Sequence, residues 1–307
     1  MKTKFYIDRT ENHQLQTAAH KRIKHNSPVN RLSNNNPSNN IVMLSRYAVI
    51  FALTGIFSSF SSYAELQPPT AGLTAIDIER KADEMQAGYI GEARNTTLTL
   101  INTDGQESQR KLDFLGHEET DRHDKTIINF TYPPDIKDTA LLTHENGSDD
   151  DDQWLYIPSL KRAKRIASSN KSGSFVGSEF AYEDLVIRQI EKYTFNYLGD
   201  DTVDGKPCYV IEKTPKNTTS GYSKIISWRY KDNYQEAKTE YFDRKGELLK
   251  KRSIEGYHQV EGFWRATKIS MQNVQTNKAS TLAFSDIQLK LPQEGSRFTV
   301  RALESVQ

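Results

Sequence analysis

The sequence predicts a mainly β fold with a few helices, built as one wide, curved antiparallel sheet or partial barrel. Three observations point there. Apolar and polar residues alternate with a period of two in about ten segments, the spacing that turns one face of a strand toward a core. Asp104-Gly105, Asp204-Gly205 and Arg244-Lys245-Gly246 separate such segments at hairpin distance. Strands do not alternate with long helical stretches, which argues against doubly wound sheets and α/β barrels.

Thr74 caps a helix whose apolar face is Ile76, Ile78, Ala82 and Met85. Asp77 stands where a capping box needs it, and Gly88 and Gly91 bracket the helix end. Leu98 and Leu100 alternate with Thr97 and Thr99 up to Asp104-Gly105, and residues 110–115 return as the partner strand. Ile128, Phe130 and Tyr132 share a strand face until Pro133-Pro134 ends it. Residues 152–157 place Trp154 and Tyr156 on one face, Leu155 and Ile157 on the other. Tyr193, Phe195 and Tyr197 share a face, and Asp204-Gly205 turns the chain into a strand over 208–212. Residues 222–230 put Tyr222, Ile226, Trp228 and Tyr230 together, with Lys224 among them. Strands over 240–243 and 248–252 flank Gly246, which suits the left-handed position of a short hairpin loop. Strands over 257–260, 264–274 and 280–289 complete the set. No Pro/Ser-rich linker interrupts residues 75–290, so a single β domain over 65–307 is expected.

The chain has 307 residues, and 41 Lys+Arg nearly balance 40 Asp+Glu. That average conceals a division near residue 64. Residues 1–42 are polar and asparagine-rich, with no hydrophobic period to offset the entropy of ordering them. They are expected to be a non-native or disordered extension. Met43-Leu44-Ser45-Arg46, the apolar run over 47–57 and Ser62-Tyr63-Ala64 have the form of a signal peptide over 43–64. Its apolar run is shorter than the ~20 residues that span a bilayer. Translation is then expected to start at Met43 and cleavage to follow Ala64. Glu65, not cysteine, comes next, so there is no lipid-attachment site. The expected mature chain is periplasmic and carries 33 basic and 38 acidic residues.

Mild acidity argues against generic binding to nucleic acid or anionic membrane. One cysteine, Cys208, excludes an intrachain disulfide framework and a cysteine-based zinc site. Tyr209, Val210 and Ile211 beside it mark a buried strand. His117, His123, His144 and His258 lack metal-ligand spacing, and neither a Gly-x-Ser-x-Gly elbow nor a phosphate loop occurs. Asp149, Asp150, Asp151 and Asp152 lack the spaced ligands of a calcium loop. No catalytic residue, metal or cofactor is expected, and the chain reads as a non-enzyme.

Residues 149–185 are the least generic stretch: an acidic turn, an aromatic strand, a basic strand, a Gly/Ser loop and a short helix. On a strand, Lys161 and Arg165 face one side and Arg162 and Lys164 the other. Both faces cannot be core, so this strand belongs at an edge or rim, where charge blocks aggregation. The four cations are candidates for docking an acidic partner or a lipid headgroup, edge protection or pairing with Asp149, Asp150, Asp151 and Asp152 being the alternative. Phe175, in the loop Ser172-Gly173-Ser174-Phe175-Val176-Gly177-Ser178, is a candidate cavity gate, a plain connection being the alternative.

The pattern DDQWLYIPSLKRAKRIASSNKSGSFVGSEFAYEDL resembles the strongest motif of the outer-membrane lipoprotein-sorting protein family, the LolA-like group. Arg110, FTYPPDIKDTALL at 130–142, YFDRKGELLK at 241–250 and Arg297-Phe298-Thr299-Val300-Arg301-Ala302-Leu303 agree with it. The resemblance covers about residues 75–303. It implies a LolA-like incomplete barrel with helices over its open side and a concave interior that takes acyl chains. It further implies a periplasmic carrier or accessory protein for lipid or lipoprotein acyl chains, in a group often associated with RND-type exporters. The alternative is an interaction or sensor module that docks onto such an exporter or an envelope regulator without transferring cargo. Phe130, Tyr132, Trp154, Tyr156, Tyr193, Phe195, Tyr197 and Trp228 are candidate cavity lining, with ordinary core packing as the alternative for each. Each buried methylene contributes about 0.8 kcal/mol, so one long chain suffices for useful affinity.

Overall fold

A computed structural model describes residues 66–119, 123–186 and 190–305. The extension and signal peptide expected over residues 1–64 lie outside the described residues. Helix α1 (Ala75–Glu84) opens on the Thr74 cap, and Thr74 and Asp77 form the expected capping box. Strands β1 (Gly91–Ile101), β2 (Glu107–His117), β3 (Lys125–Tyr132), β4 (Ala140–His144), β5 (Asp152–Ile157) and β6 (Arg162–Arg165) follow. A segment of short 3-10 turns leads to β7 (Tyr193–Val203), β8 (Lys206–Pro215), β9 (Tyr222–Tyr230), β10 (Glu236–Asp243) and β11 (Leu248–Glu255). Then come β12 (His258–Val260), β13 (Phe263–Arg265), β14 (Lys268–Asn273), β15 (Lys278–Gln288) and α2 (Val300–Ser305).

Among the described residues, thirteen strands form one antiparallel sheet in the order β6-β5-β4-β3-β2-β1-β15-β14-β11-β10-β9-β8-β7. The chain enters at mid-sheet, runs out to the β6 edge, and crosses to the far edge at β7. It then returns by hairpins until β15 pairs with β1. β6 and β7 do not pair with each other, so the curved sheet is an incomplete barrel, as the alternation predicts. The expected strand over 264–274 is divided: β13 pairs with β12 in a separate hairpin, and β14 joins the main sheet. β4 escapes the sequence pattern because four of its five residues are buried, which erases the alternation.

The register puts Ile211, Ile225, Tyr241, Met271, Leu282, Leu98, Leu112, Phe130 and Leu141 on one inner face. Most of these join Phe175 and Phe180 of the crossing segment in the main core, while Ile211 packs with Ala75 and Ile78 of α1. The outer face is covered at one end by α2, whose Leu303 packs with Leu142, Tyr156 and Phe298. At the other end Cys208, Val210, Ile226, Trp228 and Tyr230 form a second outer cluster. Burial pushes the Cys208 thiol up to about 11, so it is an inert core residue near neutral pH.

Three of the register shifts among the described strands correct the strict alternation at residues that matter for the interior. Leu112 pairs with Phe130 but Lys111 with Tyr132, so an extra residue turns Tyr132 away from the Phe130 phase and leaves it 50% exposed. Lys224 pairs with Phe242 but Tyr222 with Asp243, and Tyr222 joins the inner core instead of the Ile226–Trp228–Tyr230 face. Tyr241 pairs with Lys250 but Phe242 with Leu248, which brings Lys250 and Arg252 onto the inner face.

Candidate functional site

The strand order forces the segment between β6 and β7 to span the open side of the barrel, and it does so as 3-10 turns that cap the inner face. Phe175 is fully buried, its ring 5.6 Å from that of Phe130 and 5.7 Å from that of Tyr182. The Phe175 N–H donates to the Phe180 carbonyl at 2.7 Å, closing the loop on itself. Arg110 on β2 donates to the Val176 carbonyl, and Gln153 on β5 donates to the Tyr182 carbonyl at 3.1 Å.

The other side of the cap is held by two adjacent carboxylates. Glu183 accepts from Ser220 Oγ at 2.8 Å and from the Gly221 N–H at 2.9 Å. A Cβ on Gly221 would lie 2.7 Å from the Ser172 Cβ and 2.9 Å from Glu183 Oε1, so this approach requires glycine. Asp184 accepts from Lys250 Nζ at 2.6 Å, the Ala181 N–H at 2.6 Å and the Tyr222 hydroxyl at 2.8 Å. The Lys250 and Asp184 side chains are only 5% and 2% exposed. Burial raises the Glu183 carboxyl, and burial next to Asp184 and Glu183 raises the Tyr222 hydroxyl well above its ordinary value.

Two chambers lie under this cap. The apolar one, about 220 Å³, is walled by Leu112, Phe114, Ile128, Leu282 and Phe284 of the sheet and by Phe175, Phe180 and Leu185 of the cap. The polar one, about 260 Å³, lies between α1, the cap and strands β7 to β11. Asp184, Val186 and Arg252 line both.

Charged side chains occupy the polar chamber as a connected network. Arg229 grips the Glu79 carboxylate with two bonds of 2.8 Å. Lys213 bridges Glu79 at 3.4 Å and Glu236 at 3.1 Å, and Arg252 pairs with Glu236. Burial alone would raise the Glu236 carboxyl, but the cations of Arg252, Lys213 and Arg229 outweigh it and hold the group far below the usual carboxylate range. Glu79 is shifted down in the same way by Arg229 and Lys213, against its own burial. Among the described residues no group of three or more potential metal ligands occurs, and no histidine lines either chamber. The arrangement can enclose a ligand with an apolar body and a polar end.

The residues singled out in the sequence separate by face. Phe130 and Tyr193 pack in the inner core, and Phe195 and Tyr197 pack against α1 on the same face. Trp154 and Tyr156 lie on the outer face with α2, and Trp228 lies in the outer cluster at the other end, donating to Asp201 at 2.7 Å. Lys161 is not on a strand: it caps the turn Pro158–Leu160 in the left-handed region, and β6 starts at Arg162. Arg162, Lys164 and Arg165 are exposed on this edge strand, with Arg165 paired to Asp152. Sequence reasoning missed the charged network. Charges in the inward phase of strands were the signal, and the bulges hid that phase.

A family model described as uncharacterized-protein-like matches residues 122–305. Among solved structures, a Vibrio parahaemolyticus domain described as an outer membrane lipoprotein-sorting protein is 38% identical, with a TM-score of 0.73. The match covers 75% of this chain and 98% of that one. A DUF1329 family protein from Desulfovibrio piger is 24% identical with a TM-score of 0.71, covering 75% of this chain and 97% of that one. A LolA superfamily protein from Nitrosomonas europaea is 24% identical with a TM-score of 0.61, covering 74% and 98%. The last two share the fold. No curated protein matches the chain.

Proposed function

Since the chain belongs to the outer-membrane lipoprotein-sorting (LolA-like) family, we propose that it is a periplasmic, non-enzymatic carrier that holds lipid or lipoprotein acyl chains during envelope transport. The observation that carries this reading is the apolar chamber under the cap. Its volume of about 220 Å³ exceeds the roughly 150 Å³ of a dry apolar cavity that binds benzene. Phe175 and Leu185 roof it, so a chain entering from the open side has to displace the cap. The expected signal peptide over 43–64 supports export, and no helix among the described residues is long and apolar enough to cross a membrane. Native mass spectrometry of gently purified protein should show co-purifying lipid. Consistently empty protein that also ignores fatty-acyl probes would contradict the carrier.

A second reading, docking onto an RND-type exporter or an envelope regulator, is favoured by one feature. The open edge of the sheet at β6 presents Arg162, Lys164 and Arg165, with Lys161 beside them. Reversing these four charges should abolish capture of such a partner while acyl-probe uptake stays unchanged. Unaltered capture would sink it.

A further inference from the structure

We propose that the cargo is a single-chain acidic amphiphile, its anionic head bound by Arg252 where the two chambers meet and its chain lying in the apolar one. The inference rests on the carrier reading and adds the chemical class of the ligand.

Arg252 is the one cation that lines both chambers among the described residues. Its guanidinium reaches Glu236 and Thr239 through one terminal nitrogen, while Nε is buried without a hydrogen-bond partner. A buried donor left unmet costs about 1–3 kcal/mol, and more on a charged group. An oxyanion brought in by a ligand would bond the guanidinium at its other terminal nitrogen, a charge-assisted bond, and guanidinium geometry suits both carboxylate and phosphate.

Position decides where the chain goes. From Arg252 on β11 the sheet continues through β14 and β15 to β1, three strand spacings or roughly 14 Å. Ile269, Leu282 and Phe284 supply apolar surface along that path. Arg94 at its far end also has an unmet Nε, but its guanidinium is packed over Phe114 at 3.8 Å and Phe284 at 4.7 Å and paired with Glu92. It acts as wall. With the cap in place the chamber, about 220 Å³, is sized for one chain.

The test uses delipidated protein and three probes of equal chain length: dodecanoate, dodecyl phosphate and dodecanol. Displacement of a fluorescent acyl probe is expected to show at least about tenfold tighter binding of an acid than of the alcohol, roughly 1.4 kcal/mol. Comparing the two acids tells a carboxylate head from a phosphate head. Arg252→Met should erase the preference, so that the acids and dodecanol bind with like affinity, and Arg94→Met should keep the preference. Arg252→Lys, which retains a cation for Glu236, guards against misfolding and should reduce the preference in a folded protein. Equal binding of acids and alcohol to wild type, or a preference that survives both Arg252 variants, would overturn the acidic-cargo inference and leave the carrier standing. Failure of all three probes to bind would overturn the carrier as well.

Discussion

Glu236→Gln is expected to destabilise the protein by about 3–5 kcal/mol, because it leaves buried cations without their shared carboxylate. Urea denaturation should show a lower midpoint at an unchanged slope. Adding Arg252→Met should recover part of the loss, since the two side chains are directly paired and their effects cannot add. The same carboxylates set an acid limit. The folded Glu236 and Glu79 groups lie below their unfolded values, so they contribute full stability above the unfolded pKa. That contribution is lost as pH falls from about 5 toward the folded values. Wild type should therefore weaken steeply on acidification, and Glu236→Gln, already weaker at neutral pH, should show a shallower slope. Equal slopes would contradict the assignment.

Asp184→Ala should produce the second large effect, about 3–5 kcal/mol, concentrated in the cap. Asp184 holds Lys250 from the sheet, the Tyr222 hydroxyl and the Ala181 N–H together. Removing it strands a buried ammonium and releases the cap from β9 and β11. Hydrogen exchange should speed up in residues 174–186 before it does in β8 and β9, because those strands remain paired on both sides. Asp184→Ala with Lys250→Met should restore much of the protection. Protection that stays unchanged in the cap would show that the ion pair does not latch it.

The fold was legible because hairpin turns and strict alternation are local signals. Thr74 and Asp77 announced α1, and Asp104-Gly105 announced the β1–β2 hairpin. The site was less legible, for two physical reasons. Bulges shift the side-chain phase by one residue, so Tyr132 turned out, Tyr222 turned in, and Lys250 and Arg252 came inward beside Tyr241. Neighbours in space are far apart in the chain: Glu79 and Arg229 meet only because α1 packs inside the sheet against β7 and β8. The motif over 149–185 drew attention to its charges, yet Phe175, Phe180 and Asp184, which seal the interior, come from its second half. A row of aromatics such as Trp154 and Tyr156 could not be assigned to a face from alternation alone, because both faces of β5 are covered.

Native mass spectrometry of wild type beside Leu282→Trp puts the acyl chamber to the most direct test. The indole adds volume where the chain should lie, at a stability cost of about 1–3 kcal/mol that urea denaturation can verify. Wild type should carry bound lipid or take up a fatty-acyl probe, and the folded Leu282→Trp protein should carry none. Equal lipid occupancy in the two folded proteins would place the ligand elsewhere and contradict a carrier that works through this chamber.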